Sequence, residues 1–472
     1  MRVLILNLPN KNPIVRRFIC SMNSPNFLLP PLELSYLAAV AENIASNGVF
    51  FIDAIASKLD KKAVFRKIAE IDPDVVMTIL GYEHCGEDIN VINHIFKENK
   101  KARLIAMGYM PTVYPNEILN MSEIDIIIRN EPEETFKELL FSYSDGDFKN
   151  LGNINGITFK SDEGKIISTA ERERIKNLDN LPFPARHFWD IDKYSEPFFD
   201  KPFTTIQTAR GCPYRCSYCT RTYGTRYVYR SVENVISEIK ECLSKYKIGN
   251  FRFIDDTFPI NKKHTIELCH AIIDEKLPIK WVCLTRIDLM DYERLEVMKN
   301  AGCKRLYIGI ESGSNKNLEY YKKGYKREDI IPAIDRARDL CLEVVGYFLI
   351  GSLKETEEDF QETLEIAKKC KLDLIICSRM APYPGTDISI GKREEIEFSI
   401  NPFICRYKDE SYEKEIEKKV RSFYKTVYFT PSFLLRSLKW FIKYPLKSIS
   451  GGLVFLNYIF GGFRKRSRDE LI

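Results

Sequence analysis

At 472 residues the chain is too long for one hydrophobic core, so two or three domains are expected. Hydrophobic residues at 44% and charged residues at 29% are ordinary for a folded soluble protein and argue against long disorder. The net charge of +5 hides an asymmetry: from Lys418 onward twelve Lys or Arg stand against Asp469 and Glu470, a local +10 that leaves the remainder at −5.

Thirteen cysteines, an odd number scattered through apparent helices and strands, do not form a disulfide framework and predict a reducing, cytoplasmic compartment. The opening MRVLILNLPN has one early arginine and an apolar run ending at Pro9, which reads as a first strand rather than a signal peptide. Through residue 145, short apolar runs alternate with helical patterns. The runs are VLILNL (Val3 to Leu8), GVFFIDA (Gly48 to Ala54), DVVMTIL (Asp74 to Leu80), ARLIAMG (Ala102 to Gly108) and IDIIIRN (Ile124 to Asn130), with a helix over Leu32 to Ser46 after the first. Continuous β-branched strands joined by helices imply an α/β domain: a parallel sheet covered on both faces, Rossmann-like, with its ligand crevice beyond the strand carboxyl ends. No G-x-G-x-x-G follows the first strand, which argues against a dinucleotide. His84 and His94 read as satisfied histidines rather than ligands.

Residues 146–200 read as a linker. Ile154 to Thr169 predicts a hairpin turning at Asp162-Glu163-Gly164, and NLDNLPFPARHFWDIDKY (Asn177 to Tyr194) is an extended, proline-interrupted connector in which His187 and Trp189 serve packing. From 201 to 390 strand–helix alternation resumes, with strands at Phe203–Thr208, Phe251–Asp256, Ile279–Arg286, Arg305–Ser312, Glu343–Gly351 and Leu372–Met380. Six βα units with right-handed crossovers curl into a partial (β/α)6 barrel whose function lies at the strand carboxyl ends.

After the first of these strands comes TARGCPYRCSYCTRTYG, which sets Cys212, Cys216 and Cys219 in a C-x-x-x-C-x-x-C spacing, with Ser231 as the N-cap of the next helix. No second cysteine or histidine pair exists at zinc-site spacing, so an iron–sulfur cluster fits better than zinc. Such clusters take four thiolates, and three leave one iron open for chemistry. Between Lys201 and Val232 six basic residues and no acidic one surround the loop, suited either to balancing thiolates or to holding an anionic substrate.

The cysteine spacing, with Tyr218 before the third cysteine, resembles the radical S-adenosylmethionine (SAM) superfamily. The resemblance implies a [4Fe–4S] cluster on Cys212, Cys216 and Cys219 whose open iron binds the amino and carboxylate groups of SAM and cleaves it to a 5′-deoxyadenosyl radical. It further implies that Asp255 and Asp256 contact the SAM amino group, that Glu311, Ser312 and Gly313 in IGIESGS hold ribose hydroxyls or the SAM carboxylate, that Arg286 pairs with a carboxylate, and that Gly351 with Glu355 and the PYPGT turn (Pro382 to Thr386) match the fifth and sixth strand ends. LDNLPFPAR, IDA at Ile52 to Ala54, MGYMPT at Met107 and RNEPEET at Arg129 resemble the branch of the superfamily that carries an amino-terminal cobalamin (B12)-binding domain. Against that branch's D-x-H-x-x-G motif, Asp53 is retained but Ile55 and Lys58 stand at the histidine and glycine places, so an axial histidine is absent. Thr78-Ile79-Leu80 stands for S-x-L, and Met107-Gly108 for the paired glycine. Asp53, Thr78 and Gly108 are the cobalamin-contact candidates.

Residues 391–472 form a basic, aromatic, helical extension. Its longest uncharged run, Ser448 to Phe463, is short for a membrane span. Interleaved Lys, Trp, Phe and Tyr suit either an interfacial helix on the inner face of a membrane or an amphipathic cap over the open side of the barrel.

The expected activity is cobalamin-dependent C-methylation of an unactivated carbon on a lipid-like or other hydrophobic small molecule, driven by an electron donor such as ferredoxin or flavodoxin. The alternative is radical carbon–carbon coupling, cyclisation or rearrangement without methyl transfer. Methylthiolation of tRNA requires a second cluster, and only Cys20 and Cys85 lie in the first domain, so no nucleic-acid partner is expected. A non-catalytic cofactor-sensing module is the remaining reading, and the intact cysteine triad argues against it.

Overall fold

In the computed structural model, residues 1–17, 21–23, 27–45, 48–97, 101–144, 146–391, 393–449 and 452 are described. Cys20 and most of the run from Ser448 to Phe463 lie outside them. Strands β1 (Val3–Asn7), β2 (Val49–Asp53), β3 (Val75–Ile79), β4 (Arg103–Met107) and β5 (Ile126–Ile128) pair in parallel, and a hairpin, β6 (Ile157–Lys160) and β7 (Ile166–Ser168), adds antiparallel to β5. The order is β7-β6-β5-β4-β3-β1-β2. The hairpin predicted as linker is therefore part of the first domain. It covers β5, which would otherwise be an edge of unpaired backbone groups.

Both faces of this sheet are covered, as its apolar strands demand. Helices α1 (Leu32–Glu42) and α4 (Glu133–Ser142) pack Leu34, Leu37, Phe136 and Leu139 on one side, while α2 (Lys61–Ile71) and α3 (Cys85–Phe96) pack Val64, Ile68, Ile89 and Ile92 on the other. Ten of the eleven α1 residues are buried, because its far side meets the second domain through Tyr36.

The second domain is a six-stranded parallel sheet in strict sequence order: β8 (Phe203–Ile206), β9 (Asn250–Phe253), β10 (Lys280–Thr285), β11 (Cys303–Glu311), β12 (Glu343–Ile350) and β13 (Leu374–Arg379). Between them run α5 (Val232–Lys245), α6 (Lys262–Asp274), α7 (Tyr292–Asn300), α8 (Arg327–Asp339) and α9 (Glu357–Lys369). Side chains alternate along a strand. Cys283, Phe348, Ile350, Ile375 and Cys377 join the core shared with these helices. The alternate set, including Val282, Tyr307 and Val345, faces the lumen, where Phe27, Leu28 and Tyr36 of the first domain and Trp189 and Tyr194 of the connector close over it.

The connector ties the domains at named points. Trp189 Nε1 donates to Ser35 Oγ at 2.8 Å and Tyr194 OH to Asp53 Oδ2 at 2.9 Å. Buried Arg186 pairs with Glu238 and donates to Thr205 O on β8 at 2.8 Å.

After β13 the extension opens with a hairpin, β14 (Ile396–Ser399) and β15 (Ile404–Tyr407), followed by α10 (Glu410–Tyr428) and α11 (Pro431–Lys443). The barrel does not close, so β13 is an edge strand. Tyr424 OH accepts from Cys377 N at 2.8 Å and donates to its carbonyl at 3.0 Å, and Tyr428 OH does the same for Ile375 at 3.3 and 2.5 Å. The match is geometric: four helical residues advance about 6 Å, and two strand residues about 6.6 Å. Replacing Tyr424 or Tyr428 by Phe leaves two edge groups without partners. Each substitution is expected to lower stability by about 1–2 kcal/mol in denaturant unfolding, with cluster content retained.

Candidate active site

The loop carrying the three cysteines leaves β8 and is fastened before its first thiol. Asp255, just past β9, accepts from Thr208 N at 2.6 Å, from Ala209 N at 3.1 Å and from the Thr208 hydroxyl. Asp256 accepts from Gly211 N at 3.0 Å. Burial pushes the Asp255 carboxyl up to about 7 and that of Asp256 up to about 6, against the hydrogen bonds that favour the charged form. Gly211 has φ +80°, and a Cβ there would lie 2.1 Å from the Arg226 carbonyl oxygen. Cys212 N donates to Gly224 O at 3.1 Å, and Ser217 binds the carbonyls of Tyr321 and Tyr320 at 3.1 and 2.8 Å, so the loop lies flat across the barrel rim.

All three thiols are free, with Cys216 buried and Cys212 and Cys219 half-buried. Burial pushes the Cys219 thiol up to about 12 and raises that of Cys212. Among the described residues no three such side chains converge as they do around a single ion. A cluster takes one thiolate on each of three irons, so separated thiols on one loop suit it. Arg286 Nη1 donates to Cys216 Sγ at 3.4 Å, while its Nε pairs with Asp288 at 2.9 Å and its side chain stacks 3.6 Å from the Tyr214 ring centre. The carboxylate that Arg286 meets is thus Asp288. Thr257 Oγ1 lies 3.6 Å from Cys212 Sγ.

At the end of β11, Glu311 adopts φ +65° beside a register shift, a conformation that L residues other than Asn and Asp seldom hold without cause. Its buried carboxylate accepts from Tyr218 OH at 2.8 Å and Lys323 Nζ at 3.1 Å, and Lys323 reaches Tyr218 OH at 3.2 Å. Burial works against the Lys323 ammonium, but Tyr325 and Glu311 outweigh it and hold the group above its ordinary value. Ser312 and Gly313 do not join this group. Ser312 Oγ is bonded to Thr363 Oγ1 at 2.9 Å, and a Cβ on Gly313 would meet the Glu362 carbonyl at 2.4 Å, so both are packed beneath α9. Gly351, at φ +95°, donates to Glu355 at 2.7 Å and abuts Ile416 of α10. Burial pushes the Glu355 carboxyl up to about 7.

In the first domain the sheet order reverses between β1 and β3, which sets the crevice at their carboxyl ends. Asp53 ends β2, off that switch point. Its carboxylate is engaged by Asn7, the Ile55 and Ala56 N–H groups and Tyr194, so it anchors the loop and the connector. Thr78 is fully buried and donates to Leu6 O at 2.8 Å. Both side chains are thus engaged within the protein, Asp53 by four donors and Thr78 through its proton. Gly108, at φ +137° with a Cβ position 2.7 Å from Leu80 O, does form a close backbone floor, with Met107 buried behind it.

Two family models match the chain: the B12 binding domain over residues 21–140 and the radical SAM superfamily over residues 206–367. A sequence described as an uncharacterized methyltransferase of Pyrococcus horikoshii is 33% identical over 391 residues, 82% of each chain. The chain belongs to the B12-binding branch of the radical SAM superfamily. The anaerobic magnesium-protoporphyrin IX monomethyl ester cyclase of Rubrivivax gelatinosus is 26% identical over 78% of this chain and 67% of its own. In fold, the chain resembles the cobalamin-dependent SAM radical enzyme OxsB with aqua-cobalamin and SAM bound (TM-score 0.72, 17% identity, 96% of this chain and 72% of that one). It also resembles the radical SAM methyltransferase TsrM from Kitasatospora setae (TM-score 0.70, 16% identity, 89% and 90%).

The cofactors of this radical SAM family are the [4Fe–4S] cluster, SAM and cobalamin. The three-thiol loop, a donor on Cys216 and half-buried Asp256 fit the first two. For cobalamin the fit lies in the backbone floor at Gly108, with no histidine at the axial place. Lys323, Asp288 and Tyr214 escaped the sequence reading, because nothing in YKKGYK distinguishes the buried Lys323 from exposed Lys322.

Gly211→Ala is expected to cut iron content per chain several-fold, measured after reconstitution, with far-ultraviolet circular dichroism unchanged. Arg286→Met removes a positive charge and a donor from Cys216. The cluster potential is expected to fall in an anaerobic redox titration followed by electron paramagnetic resonance.

Proposed function

We propose that this enzyme methylates an unactivated carbon of a hydrophobic, lipid-like small molecule. The observation that carries the substrate class is the lumen below Tyr218 and Glu311. Leu284, Tyr347, Leu349 and Leu374 are only half-buried on its strands and Ile376 is 37% exposed, although all five lie on the strand face away from the helices. Apolar side chains open to solvent inside a barrel are the lining of a ligand site that takes an apolar guest.

When bound, the cluster and SAM supply the radical and cobalamin carries the methyl group. The chain's own groups position and shield. Asp255 is engaged by the loop, whereas Asp256 takes a single hydrogen bond among the described residues, from Gly211, and retains an oxygen for the SAM ammonium. Tyr218, Glu311 and Lys323 form a fixed polar roof over the apolar lining and keep water from the reacting carbon. Reduced ferredoxin or flavodoxin would deliver the electron. A hydrophobic substrate goes with a place on the inner face of the membrane, and among the described residues no helix is long and apolar enough to cross one.

The second reading, radical cyclisation or rearrangement without methyl transfer, is favoured by the missing axial histidine and by the likeness to a cyclase. Cluster-loaded protein with hydroxocobalamin, SAM and a strong reductant decides between them. S-adenosylhomocysteine together with 5′-deoxyadenosine supports methylation, and 5′-deoxyadenosine alone overturns it in favour of the second reading. In the same assay Asp256→Asn is expected to weaken SAM binding about tenfold, the equivalent of one charge-assisted hydrogen bond, with iron content retained.

A further inference from the structure

Helix α11 is apolar on two opposite sides. One side is buried on the foot of the barrel: Phe433 and Trp440 are covered, with the Trp440 ring 5.0 Å from Phe198 and 5.1 Å from the Arg305 guanidinium. Lys439 Nζ lies 2.5 Å from Asp373, and Arg436 Nε donates to Leu372 O at 3.2 Å. Opposite them Leu434, Leu435, Leu438, Phe441 and Ile442 recur at i, i+1, i+4, i+7 and i+8, and they are 48–76% exposed. Beyond the helix Leu446 at 81% and Ile449 at 54% extend the patch. Single exposed leucines are ordinary, but a contiguous stripe of this kind marks a surface that meets something.

Charge says what it meets. Between Val420 and Arg468 there is no Asp or Glu, and Lys443 stands exposed beside the apolar arc, whereas Lys439 is held by Asp373. A second copy would set lysine against lysine. An anionic bilayer accepts both the apolar stripe and the bases. Thirteen residues of helix span about 20 Å, against a hydrocarbon core of about 30 Å, so the helix lies along the surface rather than across it.

We propose that the outward face of α11, with Lys443 at its end, is a docking surface for an anionic lipid bilayer. The helix touches Leu372 and Asp373, the residues leading into β13, and β13 carries the exposed Ile376 of the lumen. Docking therefore sets the open flank of the barrel beside the lipid. Delivery of substrate along that flank rests on the lipid-like reading above, whereas docking itself does not.

The test uses the full, cluster-loaded chain and two vesicle compositions: phosphatidylcholine alone, and phosphatidylcholine with an equal part of phosphatidylglycerol. Co-sedimentation is expected with the mixed vesicles, several-fold weaker with phosphatidylcholine, and falling as salt rises. The double variant Leu435→Glu, Ile442→Glu is expected to bind about tenfold less, with melting temperature and iron content unchanged because both side chains point outward. Equal sedimentation of parent and variant overturns the proposal, as does no binding to the mixed vesicles. A concentration-dependent dimer that the variant abolishes assigns the face to a second copy, and that too overturns it. Cleavage of SAM measured without vesicles is the separate readout: its loss alongside intact vesicle binding counts against the proposed reaction and leaves the docking surface standing.

Discussion

The cysteine loop must hold its shape around three thiols spaced along it, and two consecutive carboxylates make that possible. Asp255 collects three hydrogen bonds from Thr208 and Ala209, and Asp256 one from Gly211, so the chain leaving β8 is fixed over four residues before Cys212. Ordering a residue costs about 1–2 kcal/mol of conformational entropy, and here that cost is met by the fold rather than by the cofactor. A buried carboxylate without partners would be destabilising, but one that accepts three donors is a rigid knot. The two acids thus differ in load: Asp255 takes three of these bonds and Asp256 one.

The second constraint is that six strands do not close a barrel. One edge, β8, is covered by the connector, whose Arg186 reaches the Thr205 carbonyl, and the other, β13, by two tyrosine hydroxyls of α10. Neither cover fills the lumen. The first domain and the connector pack Phe27, Trp189 and Tyr194 against its wall, while Leu284, Tyr347 and Leu349 stay half-buried and Ile376 exposed.

The fold was largely legible in the sequence, because periodicity reports burial directly. Every strand inferred from an apolar run is present. Where the structure adds to the local pattern, the cause is physical. The hairpin at 157–168 reads as linker in sequence because local pattern does not reveal that β5 lacks a neighbour. Of the six bases around the cluster loop, Arg210, Arg230 and Arg221 are paired with Glu131 and Glu133, with Glu238 and with Asp387, and Lys201 binds the Asp192 carbonyl. That leaves Arg215 and Arg226 as the exposed bases of the loop. Counting charges overstated the free charge because their acidic partners lie far off in the chain. Asp53, Thr78, Ser312 and Gly313 stand where motifs put them, yet their polar groups are engaged within the protein, which spacing alone does not disclose.

Arg210 shows how the two halves are coupled. It lies two residues before Cys212, and its buried guanidinium sits 2.6 Å from Glu133, the first residue of α4, and 3.2 Å from Glu131, in the loop between β5 and α4 on the crevice side of the first domain. Tyr36 and Tyr223 flank it at 5.6 and 4.9 Å. A surface ion pair is worth about 0–1 kcal/mol, but removing one member of a buried set leaves charges without partners and costs about 3–5 kcal/mol. Across the rim, Tyr109 OH donates to Pro384 O at 3.0 Å, and Gly385 at φ +81° leaves room for that hydroxyl, since a Cβ there would sit 2.4 Å from it. The cobalamin-domain crevice is thus fastened to the barrel rim on two sides, by a buried charge network at one and a backbone contact at the other. Chemistry that passes between two cofactors needs their holders at a fixed separation, and these contacts supply it before either cofactor binds.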